Sequence, residues 1–489
     1  MTASHDDISE KLEQYFLDGN FDKIIAVLSD ALLEKAISED KAKAAELYVR
    51  LGNAWYYKNE YDKACVEYDK AIKIDNKCAL AFYNRGYARG LKSEDYDKAI
   101  EDYDKAIEID ADYASAYVCK ASILRFQKKY SEAIENYDKA IEIDPQYASA
   151  YYNRGLAKKE SKTDLIGSKQ DFEKYLELTA DGHDSWANYA RYYIERINER
   201  INDKELSAIV DLIDNIKDVL LVNEDCITHY TTLSVLKSLI LDSSKFRISE
   251  GNSMNDPSEG MEFFNFLNYT PFTLDKDGFL SEKFSPKPFI GSFVTEDKHD
   301  DLNMWRFYGK EEGVEAKGCA ITLNAKQFIS DITNSLPKEG DYLDYESDIN
   351  FYWVAYLETG TNKFHTPGSD MGDELNRLMA ELKNRVGDYR NSDNAALERH
   401  LNSIAFLFKS DAYRNENEVR MVVRGLEFEK KFNLDLVPPR VYIELEPIKK
   451  IVKKITLGPK VDKASEWASV FHYNFEISPE IVISHLPYK

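Results

Sequence analysis

One period organises the first half of the chain. Three segments are near copies of one another: EYDKACVEYDKAIKIDN, DYDKAIEDYDKAIEIDA and KYSEAIENYDKAIEIDP. Their small residues Ala64, Ala99 and Ala133 recur at steps of 35 and 34. A second series, Gly52, Gly86, Ala121 and Gly155, recurs at 34, 35 and 34, and a degenerate fourth unit runs on through Ser168, Phe172 and Tyr175. A repeat of this length that cannot bury its own apolar face must stack on its neighbours. Within each unit the small residues let two helices approach closely. Tyr68, Tyr103 and Tyr137 follow four residues after Ala64, Ala99 and Ala133, on the same helical face, where they fill the core. Pro145 ends one helix and opens the next unit.

Period, unit number and small residues together resemble the tetratricopeptide repeat over residues 43–180. Residues 1–42 read as N-terminal capping helices, and 181–221 as a closing helix and linker. The resemblance implies a concave groove that takes a protein or peptide partner. Some members bind chaperone C-termini through a two-carboxylate clamp. Arg50 and Asn53 match its first repeat and Asn84 its second, whereas Ser115 and Cys119 depart from its third.

Composition narrows the functional classes. A net charge of −23 argues against broad binding to a phosphate backbone, although nucleic acid stays open as an acceptor. The acidic start and the absence of an apolar run of about 18 residues lead us to expect neither a signal peptide nor a membrane span. Five scattered cysteines without a C-x-x-C point to a reducing cytoplasm rather than a disulfide framework or a zinc finger.

From residue 222 onward the pattern changes. CITHYT, KFRIS, FIGSF, GCAITL, INFYWVAYL, NEVRMVV, RVYIEL, KKITLG and IVISHL read as strands. LSVLKSLIL, LNMWRFYG, GDELNRLMAELKNRV, AALERHLNSIAFLF and KASEWASVFHY read as helices. The expected chain is multidomain: an all-α solenoid, then an α+β domain over 222–489 around a mostly antiparallel core.

Four clusters in this half carry polar side chains beside apolar runs. The first is His229-Tyr230-Thr231-Thr232, at a strand end before a helix that Thr232 caps. The second is Asn255-Asp256-Pro257 with Glu259. The third is Ser292-Phe293 with Met304-Trp305 and Tyr308. In the fourth, alternation along an expected strand puts Glu416, Glu418 and Arg420 on one face and Val419, Met421 and Val423 on the other. Each has a plain structural reading. His229 can bond a backbone carbonyl, Asn-Asp-Pro can be a turn, Trp305 and Tyr308 can be core, and Glu418 and Arg420 can be a surface ion pair. Two neighbouring carboxylates, however, repel unless they have a partner or a task, such as facing a cationic transition state.

In order, with Gly-Cys-Ala-Ile between the third and fourth and Leu-Gly-Pro at the end, these motifs resemble the bacterial family catalogued as domain of unknown function 2971, across nearly all of 225–489. That family is in turn distantly similar to the ADP-ribosyltransferases. The second resemblance implies NAD as substrate and no metal. It implies His229 on the adenosine-side ribose, Thr231 on the nicotinamide amide through its backbone, and Ser292 on the nicotinamide ribose with Tyr308 as an aromatic platform. Glu418 would stabilise the oxocarbenium ion, Glu416 would orient the attacking group, and Arg420 would orient a carboxylate. The chain departs from the pattern in having no Tyr directly at the middle strand. The function so implied is an NAD-consuming effector, ADP-ribosyltransferase or NAD glycohydrolase, targeted or regulated by the repeats, in a setting such as toxin action or antiviral defence. The alternative is a non-enzymatic scaffold whose second domain recognises a ligand. A nuclease would need a metal-binding carboxylate cluster, and none is visible beyond Glu416 and Glu418. Glu418→Gln is expected to lower turnover by roughly 10²–10³ while changing folding little.

Overall fold

The computed structural model describes residues 5–28, 36, 40–91, 95–179, 185–250, 260–270, 288–309, 314–335, 349–367, 372–389, 394–423, 428–435 and 440–487. The chain divides into two compact units, one built on Met1–Ile197 and the other on Asn198–Pro337 with Glu346–Lys489.

In the first unit, helices α1 (His5–Leu17) and α2 (Phe21–Val27) precede four helix pairs. These are α3 (Lys41–Tyr57) with α4 (Tyr61–Ile74), α5 (Ala79–Gly90) with α6 (Tyr96–Ile109), α7 (Ala114–Phe126) with α8 (Tyr130–Ile143), and α9 (Ala148–Glu160) with α10 (Leu165–Leu178). Helix α11 (Ser185–Asn202) follows. The small residues do what their spacing implies. A Cβ on Gly52 would stand 2.4 Å from the Tyr68 ring, and one on Gly86 would stand 3.0 Å from the Tyr103 ring. Tyr68, Tyr103 and Tyr137 are fully buried. Charge clips recur with the same period. Arg85 bonds Asp102 from α5 to α6, and Arg154 bonds Asp171 from α9 to α10.

The second unit opens with α12 (Lys204–Leu220). This differs from the closing helix and linker expected over 181–221. Leu206, Ile209, Val210, Leu212, Ile213, Ile216 and Leu220 are buried in the same core as the sheet, so α12 belongs to this unit. The further helices are α13 (Leu233–Ile240), α14 (Met261–Leu267), α15 (Leu302–Phe307), α16 (Ala325–Ser335), α17 (Gly372–Asp388), α18 (Ala395–Ala405) and α19 (Ala464–Asn474). Thr232 caps α13, accepting a bond from the Val235 amide.

The strands are β1 (Cys226–Thr231), β2 (Lys245–Glu250), β3 (Phe289–Thr295), β4 (Cys319–Asn324), β5 (Ile349–Trp353), β6 (Ala355–Leu357), β7 (Phe364–His365), β8 (Phe408–Ser410), β9 (Val419–Val423), β10 (Lys431–Asn433), β11 (Arg440–Pro447), β12 (Val452–Leu457) and β13 (Glu480–Ile483). Pairing is antiparallel except for β12 with β13 and β6 with β8. The main sheet runs β10-β11-β2-β3-β1-β4-β12-β13, with β9 lying between β3 and β5; β7-β6-β8 form a small second sheet.

The strand β3 is where the main sheet divides. Its start pairs with β2 (Ile290 with Ser249) and its end with β1 (Val294 with Thr228), while Phe289 to Phe293 pair with β9. No helix among the described residues is long and apolar enough to cross a membrane.

Candidate functional site

The division of the sheet at β3 creates the site. Where β1 and β2 part, the Ser292 carbonyl accepts a hydrogen bond from His229 Nδ1 at 2.9 Å. Since a carbonyl only accepts, Nδ1 carries the proton and Nε2 is the acceptor nitrogen. The ring lies against Phe246 and Phe293. Burial holds its pKa below the ordinary histidine value, so it is neutral.

In the β3–β9 register Ser292 stands opposite Arg420, and Glu418 is two residues before Arg420 on the same face. Ser292 Oγ donates to Glu418 Oε1 at 2.6 Å. Arg420 Nε donates to the same oxygen at 2.9 Å, and Nη2 reaches Oε2 at 3.2 Å. Arg420 also bonds the Phe406 carbonyl. The pair is an interior one, not the surface bridge that the sequence allowed: Arg420 is 0% and Glu418 2% exposed. Val419, Met421 and Val423 enter the apolar core on the other face.

Glu416 is not on the strand. It ends the 3₁₀ turn Asp411–Glu416, Asn417 follows with φ 45°, and β9 begins only at Val419. That left-handed residue breaks the expected alternation. The two carboxylates meet nevertheless, because Lys409 on β8 lies 2.8 Å from Glu416 Oε2 and 2.7 Å from Glu418 Oε2. Lys409 and Arg420 thus join the two glutamates in a buried quartet. Burial pulls the Lys409 pKa down, but Glu418, Tyr308 and Glu416 more than reverse this, and the ammonium stays protonated. Burial pushes the Glu418 carboxyl up, opposed chiefly by Lys409. Burial first, and then Glu418, raise the phenols of Tyr308 and Tyr356 well above their ordinary value.

A cavity of about 40 Å³ opens beside the quartet, lined among others by His229, Tyr230, Ser292, Met304, Tyr308 and Glu418. That is room for roughly three waters or one small group. Four of the sequence-derived candidates therefore share one cleft: His229, Ser292, Tyr308 and Glu418. Glu416 and Arg420 adjoin it through the quartet, and Thr231 is outside its lining. Trp305 is core, bonded through Nε1 to Asp300. Asn255, Asp256, Pro257 and Glu259 lie outside the described residues. Lys409 and Tyr356, whose hydroxyl accepts the Glu418 amide proton at 3.0 Å, are additions that the sequence reading missed. Lys409 had one signal, a single cation at the end of the apolar run Ile404-Ala405-Phe406-Leu407-Phe408.

Two motif glycines also acquire a reason. A Cβ on Gly318 would stand 2.5 Å from the Thr231 carbonyl, and one on Gly458 would stand 2.7 Å from the Gly318 carbonyl. The Gly458 amide bonds that same carbonyl at 3.0 Å. In the first unit, the residues matching a carboxylate clamp are engaged within the solenoid. Asn84 donates to Asn53 at 3.0 Å, Arg50 bonds Glu46, and Cys119 is buried against Tyr83.

Repeated helix pairs followed by a sheet-containing unit with a buried acid–base quartet define a two-part protein, an interaction module joined to a second domain. The chain carries tetratricopeptide repeats, matched by two repeat profiles over residues 52–93 and 121–161 and over 79–113. It also carries a domain of the family described as "Protein of unknown function (DUF2971)", matched over residues 304–421. That stretch holds Tyr308, Lys409, Glu416, Glu418 and Arg420; it is shorter than the 225–489 expected and leaves out His229 and Ser292. Among solved structures, the chain is similar to a crystal structure of MamA at 24% identity, over 37% of this chain and 97% of that one, with TM-score 0.31. A tetratricopeptide domain of Arabidopsis OM64 is similar at 27% identity, over 24% of this chain and 98% of that one, with TM-score 0.24. No curated protein matches the chain.

Proposed function

We propose that the second unit consumes NAD at Glu418, as an ADP-ribosyltransferase-like effector, and that the repeats direct or regulate it by taking a protein or peptide in their groove. The observation that carries this reading is the Ser292–Glu418 contact at the edge of the cleft, with neutral His229 beside it. In the proposed reaction the ribose C1′–nitrogen bond breaks and its electron pair leaves with nicotinamide. Positive charge builds on the ribose, and a carboxylate already fixed in place stabilises it without reorganising. Water or an acceptor nucleophile then bonds C1′ and gives up its proton. A module that senses a partner, joined to such an effector, would suit toxin action or antiviral defence.

The scaffold reading has its own support. The Glu418 charge is already matched by Lys409 and Arg420, and its carboxylate is only 2% exposed. Incubating the full chain with labelled NAD, with and without cell lysate, separates the two readings. Nicotinamide release or a labelled macromolecule supports the enzyme; neither, with any needed partner present, supports the scaffold. Glu418→Gln should lower turnover by roughly 10²–10³. Full turnover by that variant would remove Glu418 from the role.

A further inference from the structure

The two glutamates are held as one object, and the residue that joins them has no role in the reading so far. Lys409 Nζ reaches Glu416 Oε2 and Glu418 Oε2 at once. On Glu418, Ser292 takes Oε1, Lys409 takes Oε2, and the Arg420 fork spans both. The groups facing this cluster come from every neighbouring element. They are Glu416 and Tyr413 from the 3₁₀ turn, Arg420 from β9, Tyr356 from β6 and Tyr308 after α15; the Tyr413 ring stands 5.4 Å from Nζ. A compact ammonium with three donors suits two acceptors at different angles, where a planar guanidinium fork does not. Arg420 alone can balance only one of two buried carboxylates, so without Lys409 one of them must take up a proton.

We infer that Lys409 is the positioning residue of this site: it clamps Glu416 and Glu418 together and fixes which edge of Glu418 faces Ser292 and the cleft. Its effect on turnover rests on the proposed activity, but the clamp does not. The test uses the full chain with ¹³C-labelled glutamate, its signals assigned with E416Q and E418Q. Lys409→Met should raise the apparent pKa of the Glu418 carboxyl by about one pH unit or more, and Lys409→Arg should return most of that shift. If Lys409→Met fails to fold, E416Q is compared with K409M/E416Q, which restores the charge balance; the Glu418 signal should move upward in the same way. An unmoved titration in a folded variant overturns the clamp. In NAD assays, K409M/E416Q should lose roughly 10- to 100-fold in kcat against E416Q with KM little changed, as expected for a misplaced group. Equal kcat in those two variants overturns the positioning role. No turnover by the unmodified protein overturns the proposed activity alone, and the titration still decides the clamp.

Discussion

His229 is the residue whose chemistry the sheet division determines most directly. Folded, its imidazole is held below its ordinary pKa by burial; unfolded, it protonates as pH falls through about 6.5. The unfolded chain therefore binds the extra proton, and stability is lost as pH drops below that value. His229→Gln should flatten this part of the profile. Urea midpoints measured from pH 7.5 to 5.5 check it, and identical slopes in both proteins would refute it. Ser292 donates to a carboxylate in the interior, a bond of the stronger kind, so Ser292→Ala should cost about 1.5–3 kcal/mol by denaturant titration. The structure also revises one expectation. Glu418→Gln leaves two buried cations with one carboxylate, so it should destabilise by roughly 3–5 kcal/mol rather than fold unchanged. Its NAD assay therefore belongs well below its melting temperature. His229, Ser292 and Glu418 could be read from the sequence because each is polar beside an apolar strand run. Lys409 showed only as a lone cation after an apolar run, and its partnership with Glu416 was hidden because it depends on the left-handed turn at Asn417.

At the scale of elements, long runs were legible and changes of partner were not. INFYWVAYL reads as one strand, but it breaks at Val354. The part before pairs with β9, the part after joins β8, and the Val354 amide bonds the Glu418 carbonyl at 3.0 Å. The run AALERHLNSIAFLF reads as one helix, but α18 stops at Ala405 and the chain turns into β8, which is too short to show alternation. These switches are tertiary decisions, and together they bring Lys409 and Glu418 into contact. Close packing makes a sharper prediction. Gly318 faces rigid backbone, with the Thr231 carbonyl 2.5 Å from its would-be Cβ, whereas a Cβ on Gly86 meets the Tyr103 ring, Asp102 Cβ and the Ala99 carbonyl at a looser 3.0–3.2 Å. The same added methyl should therefore cost about 1–3 kcal/mol at Gly318 and clearly less in Gly86→Ala. The third repeat already carries Ala121 at the corresponding place. Gly86→Leu, by contrast, should wedge α5 from α6 at a cost in the 1–3 kcal/mol range or above. Thermal melts that rank Gly86→Ala below Gly318→Ala in stability would contradict this account.

Across the whole molecule, the repeat was legible because one short rule recurs four times, each instance confirming the frame of the others. The same clarity hid what came next. Once the period stopped, α12 read as linker, although Leu206, Ile209, Ile213, Ile216 and Leu220 already keep helical spacing. Its place in the second core sets where that unit can be cut. Seven buried apolar side chains at about 1.5–3 kcal/mol each represent roughly 10–20 kcal/mol of burial. That equals or exceeds the whole net stability of an ordinary domain, about 5–15 kcal/mol. Arg385 of α17 and Tyr389 just after it would lose their bonds to Glu205 and Asp203 as well. A fragment of residues 222–489 should therefore be insoluble or molten, with lost near-ultraviolet circular dichroism, while a fragment of 198–489 should unfold cooperatively. If the shorter fragment melts as sharply and at the same temperature as the longer one, α12 is an accessory to this unit and not part of its core.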